Sequence, residues 1–119
     1  GVMNYILDYS EIQKLNSFDE DQKLSYISNY WGINNSSQSQ QLLVEITNRF
    51  NYVNKEFSIN DFLRGWETDR GRIYIIRGRP NKIDTKYSYD VNKNYEIWHY
   101  GVGEQFIFVE ISMGDYELQ

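Results

Sequence analysis

The apolar positions of this chain change period near its midpoint. In the first half they recur at three- and four-residue steps, the spacing of one helix face. Leu24, Ile27 and Trp31 share one such stripe, and Leu42, Leu43, Ile46, Phe50, Val53 and Phe57 form a longer one. Helices are therefore expected from about Glu11 to Asn16, from about Phe18 to Trp31 and from about Gln38 to Phe57. Ser10-Glu11-Ile12-Gln13 and Ser17-Phe18-Asp19-Glu20 fit capping boxes for the first two. In that pattern a hydroxyl, and an acid or amide three residues on, satisfy free backbone donors. Gly32-Ile33-Asn34-Asn35-Ser36-Ser37 reads as a loop, one of whose serines is expected to cap the third helix.

The second half alternates instead. Arg72–Gly78, Tyr95–Tyr100 and Gln105–Ser112 are short, rich in β-branched and aromatic residues and bounded by glycine, so they read as strands. Gly101-Val102-Gly103-Glu104 suits a hairpin loop between the last two, and Asp115–Leu118 a fourth short strand after Gly114. Pro80-Asn81-Lys82-Ile83 reads as a helical turn, because proline suits a first helical position. The polar stretch Thr85–Asn94 reads as a mobile loop. The expected fold is α+β, with about three N-terminal helices packed on one face of a three- to four-stranded antiparallel sheet. One domain is expected over residues 1–119, helical to about residue 63 and strand-rich from about residue 64.

Residues two apart in a strand share a face, which divides these strands into two sets. Ile73, Ile75, Ile97, Ile107, Val109 and Ile111 are aliphatic and are expected to pack on the helices. Tyr74, Ile76, Trp98, Tyr100, Phe106 and Phe108 form the other set, with Glu96 and Glu110 at its margins. Either the Thr85–Asn94 loop and a helix fold over this second face, or it is an open platform for a partner. Full burial of Trp98 decides for the first.

Composition narrows the chemistry. The chain has no cysteine, which removes disulfides, thiolate metal sites and thiol nucleophiles. No stretch approaches the roughly 18 apolar residues of a membrane span. Gly1-Val2-Met3-Asn4-Tyr5 lacks the basic region and apolar core of a signal peptide, as would a piece cut from a longer precursor. The net charge of −5 argues against nucleic acid as a partner, on an aromatic sheet face as elsewhere. Charge is uneven, however: seven cations stand against three anions between Arg64 and Lys86. Salt bridges to the acidic remainder and an anion site both account for that cluster.

The richest motif is Gly65-Trp66-Glu67-Thr68-Asp69-Arg70-Gly71, at the change of period. Asp69 and Arg70, with Arg72, Arg77 and Glu96, would suit anion or sugar recognition. A structural role weighs more: Thr68 and Asp69 bond backbone donors in turns, Gly65 and Gly71 supply unusual backbone angles, and Trp66 fixes a junction in a core. The lone His99 reads as a strand residue with a satisfied hydrogen bond. A triad of His99, Asp69 and a serine has no nucleophile-elbow pattern behind it. No spacing suggests a metal or a cofactor, and Gly101-x-Gly103 is too short for a phosphate loop.

The Gly65–Gly71 motif resembles the signature of the GWxTD-domain family of bacterial proteins. Gly78 and Pro80 match that family's Gly-x-Pro, and Tyr95-Glu96-Ile97-Trp98, Phe106-Ile107-Phe108-Val109 and Gly114-Asp115-Tyr116-Glu117-Leu118 match its later segments. Tyr30-Trp31 resembles its aromatic-Trp pair, and Arg49, Tyr52, Asn54 and Phe57 its long helix. Gly32-Ile33-Asn34 replaces the Arg-Asp-Pro usual after that pair, and Gln41 stands where an acid is expected. The family carries no established activity. The resemblance implies an exported or envelope-associated protein of Bacteroidetes or related phyla, in which this domain follows others. The expected function is a non-catalytic interaction module, docking a neighbouring domain, a subunit or a glycan through the aromatic face (Tyr74, Trp98, Tyr100, Phe106, Phe108) and the Arg-rich edge. A membrane would be reached only through other parts of the parent protein. The alternative is a glycan-acting enzyme using Asp69, Arg70 and Glu96.

Overall fold

The computed structural model describes residues 9–32, 35–59 and 63–119. Helices α1 (Tyr9–Ser17), α2 (Glu20–Trp31) and α3 (Ser36–Glu56) come first, followed by a 3-10 turn at Gly65–Glu67 and helix α4 (Asp69–Arg77). Strands β1 (Lys82–Ser88), β2 (Lys93–His99), β3 (Gln105–Ser112) and β4 (Asp115–Leu118) then form a four-stranded antiparallel meander in chain order. The α+β arrangement, the three N-terminal helices, the second and third expected strands and the short C-terminal strand all stand as read.

Caps differ in detail. Asp19, not Ser17, caps α2, in a box where its side chain accepts from Gln22 N and the Gln22 side chain accepts from Asp19 N. Asn35 caps α3 in place of a serine. Helix α1 already begins at Tyr9, so Ser10 is not its cap. Ile33 and Asn34 lie outside the described residues, as do the first eight residues and the side chains of Tyr30 and Trp31.

The largest correction concerns residues 69–88. The expected strand Arg72–Gly78 is helix α4, and its cause is the residue before it: Thr68 Oγ1 accepts from Gly71 N and starts a helical turn. A short run of branched apolar residues does not fix its own period. In α4 both sides of the run are covered, because Ile75 joins a cluster with Ile12, Leu15, Ile27, Ile46 and Val53, whereas Ile73 joins Trp98, Tyr100 and Phe108. In place of the expected helical turn at Pro80–Ile83 and loop at Thr85–Asn94, β1 runs from Lys82 to Ser88 and a short turn leads into β2 at Lys93. That turn places Asn92 at a left-handed φ of 54°, a conformation asparagine tolerates. β1 is an edge strand with most side chains exposed, so its polar alternation looks like a loop.

Recovering α4 reverses the expected orientation of the sheet. The aromatic set faces the helices: Trp98 and Phe108 are wholly buried, Tyr100 nearly so, and Phe57 at the end of α3 packs 5.7 Å from Trp98. Helix α4, through Ile73 and Tyr74, covers the rings. The aromatic face is therefore not an open docking platform. Ile97, Ile107, Val109 and Ile111 lie on the opposite face by strand alternation and belong to neither apolar cluster.

Candidate functional site

The Gly65–Gly71 motif holds the junction between the helical layer and the sheet. Its 3-10 turn lies directly on the last turns of α3, so close that a Cβ on Gly65 would stand 1.6 Å from the Val53 carbonyl oxygen. Ser58 Oγ accepts from Gly65 N at 2.9 Å while donating to the Asn54 carbonyl. Asn54 Oδ1 accepts from Trp66 N at 3.1 Å. The Trp66 ring enters the helical core. Thr68, buried, donates to the Gly65 carbonyl at 2.7 Å and caps α4 through Gly71 N at 3.0 Å. Gly71 has no room for a side chain either: its Cβ would meet the Gly65 carbonyl oxygen at 1.8 Å.

Asp69 and Arg70 carry the junction across to the strands. Asp69 Oδ2 accepts from Leu118 N at 2.8 Å, which pins β4 to the start of α4, and its other oxygen pairs with Arg72. Arg70 lies between two rings, 4.7 Å from the Phe57 centroid and 4.3 Å from that of Tyr116. Its Nη1 reaches both Glu96 oxygens at 3.2 and 3.3 Å, and its Nη2 donates to the Gly114 carbonyl at 3.0 Å. Glu96 also accepts from the indole nitrogen of Trp98 at 3.0 Å. At the other end of α4, Arg77 pairs with Glu104 and lies over the Tyr100 ring, and Tyr100 donates to the Gly78 carbonyl at 2.8 Å. Burial pushes the Tyr100 phenol well above its ordinary range, so it stays a neutral donor.

The arrangement brings Arg70 and Glu96 together as anticipated, with Asp69 beside them, but turns their charges on one another. The Arg70 and Glu96 side chains retain only 12 and 16 % exposure. Arg72 and Arg77 are likewise committed to acids, so three arginines of the cluster are internal ties. The triad does not assemble: Asp69 is bound by Leu118 and Arg72, whereas His99 bonds Asp84 at 2.9 Å. That bond holds the Asp84 carboxyl below its usual range. Among the described residues no group of three acids and histidines forms a metal site. Residues given no part in the site from sequence hold its geometry. Asn54 and Ser58 fix the motif backbone, Arg49 donates to the Ile75 carbonyl at the end of α4 at 2.8 Å, and Phe57 shields Arg70. Asn54 and Arg49 match family positions, the one signal that pointed to them.

Replacing Asp69 by alanine is accordingly expected to lower the melting temperature. It removes the acceptor for a part-buried backbone donor and the Arg72 tie, a loss of about 2 kcal/mol. For a chain of this size that is roughly 5–10 °C. An unchanged melting curve would contradict the structural role.

Fold and junction together define a small α+β domain whose most distinctive motif is a clasp between two layers. The chain belongs to the GWxTD domain family, whose profile matches residues 1–115. No curated protein and no solved structure matches the chain.

Proposed function

We propose that this domain is a non-catalytic interaction module of an exported or envelope-associated bacterial protein, and that it docks a neighbouring protein domain or subunit. The docking surface is the face of the sheet opposite α4. One observation carries this reading: around a buried Val109, Tyr95, Ile97 and Ile107 are half-buried and Ile111 is exposed, in a set that joins no apolar cluster of the domain. An antiparallel sheet with one face in water is expected to make that face polar. Here its centre is aliphatic and its margins are charged, with Lys86 and Glu117 at the two edges of the row through Tyr95 and Val109. An apolar centre inside a charged rim is the anatomy of a protein interface. Branched aliphatic side chains favour a protein over a glycan, which stacks on open aromatic rings. The envelope setting rests on the likeness to exported family members.

The enzymatic alternative draws no support from the junction. Asp69, Arg70 and Glu96 would have to break their mutual ties before acting on a substrate.

The test is surface labelling of the isolated domain against the same domain inside its intact parent protein. Ile97, Ile107 and Ile111 should react when the domain is alone and be protected in the parent. Equal reactivity in both would reject this face as the contact.

A further inference from the structure

On the helix-facing side of the sheet a cleft of about 280 Å³ opens between α3, α4 and the segment leading into β1. Its apolar walls are Tyr52, Phe57, Tyr74 and Trp98. Tyr52 and Tyr74 stack with centroids 4.5 Å apart and planes 17° from parallel, and Phe57 meets Tyr74 edge-on at 6.2 Å. The chain from Arg79 through Pro80 and Asn81 to Ile83 completes the lining, and no carboxylate contributes to it. Arg79 is exposed and forms no ion pair among the described residues, unlike Arg70, Arg72 and Arg77 of the same cluster. The Lys82 ammonium lies 3.4 Å from Asp84 on the far face of the sheet, so Arg79 is the cation at the cleft. The Tyr52 and Tyr74 hydroxyls have no hydrogen-bond partner among the described residues. In a chain of net charge −5, an unpaired guanidinium beside a ring-lined hollow is a specific arrangement.

We propose that this cleft binds a small organic carboxylate with a ring-sized body. The ring packs against the tyrosine pair and Phe57, and the carboxylate meets Arg79. A guanidinium matches a carboxylate with two parallel hydrogen bonds. The volume sits at the lower edge of the roughly 300–1,000 Å³ typical of small-molecule sites, which suits one ring and its acid group. The burial that raises the Tyr74 phenol above its ordinary range keeps its hydroxyl neutral and able to donate. This site is separate from the aliphatic face, on the other side of the sheet, so either stands if the other falls.

Two carboxylates share this chemistry and have different sources, an aromatic acid and a sugar acid. Titrations of the folded domain with indole-3-acetate and with glucuronate, followed by NMR at the Trp98 indole N–H and the Arg79 amide, separate them. Saturable shifts are expected with at least one acid, and the one that binds assigns the source. The neutral partners, indole-3-acetamide and glucose, should bind about tenfold more weakly or less. Arg79→Gln changes an exposed side chain and should weaken the acid about tenfold, whereas Lys86→Gln, on the opposite sheet face, should leave it unchanged. Absence of saturation with both acids, equal binding of acid and neutral partner, or an unaltered affinity in R79Q would each overturn the proposal.

Discussion

Gly65→Ala is expected to abolish the folded domain at ordinary temperatures. The added carbon would stand 1.6 Å from the Val53 carbonyl oxygen, 2.2 Å from its carbon and 2.8 Å from Asn54 N. All three are backbone atoms in the last turns of α3, where no rotamer change can make room. Relief requires parting the 3-10 turn from the helix, and with it the Ser58 and Asn54 bonds and the seat of Trp66. Such a loss exceeds about 4 kcal/mol, most of the stability of a typical domain. Gly71→Ala faces the same obstacle 1.8 Å away and should behave alike. Gly101→Ala is the matched control: nothing lies within 4 Å of its Cβ and its φ is not left-handed, so it should stay within about 0.5 kcal/mol of the parent. Circular dichroism melts of the three variants decide the matter. A Gly65→Ala domain melting within a few degrees of the parent would show that the junction is not packed as described.

The segments legible from sequence were those with many consistent positions. Helix α3 repeats its stripe over five turns, and β2, β3 and β4 alternate between glycine turns, so no competing period fits them. Residues 72–78 offered three isoleucines and a tyrosine, compatible with either period. The deciding information was a hydroxyl at Thr68, whose liking for backbone donors serves a turn and a helix cap equally. One wrong period then propagated. With residues 72–78 in a strand, the rings of β2 and β3 lack a cover. The clasp was legible in kind, since two glycines beside a tryptophan and a capping pair imply a tight junction. Of its partners Glu96 was legible, but Ser58 and Leu118 reach it from distant parts of the chain and nothing local marks them.

Glu96→Ala tests the other half of that clasp, where the electrostatic consequence outweighs the packing one. Arg70 has left water to sit between the Phe57 and Tyr116 rings, and Glu96 supplies its compensating charge. Removing the carboxylate leaves a largely buried guanidinium with the Gly114 carbonyl as its remaining acceptor, and takes from the Trp98 indole its hydrogen bond. Orphaning one member of such a pair costs about 3–5 kcal/mol, far more than the pair adds over apolar substitutes. The expected fall in melting temperature is about 12–20 °C. The double variant Arg70→Met with Glu96→Gln should recover much of it, because the methionine stem still fills the gap between the rings and the amide still accepts from Trp98. That recovery separates a structural pair from a ligand-binding one. Were Arg70 and Glu96 kept for a ligand, each single change would be nearly neutral in the free domain, and the double variant would be no better than either.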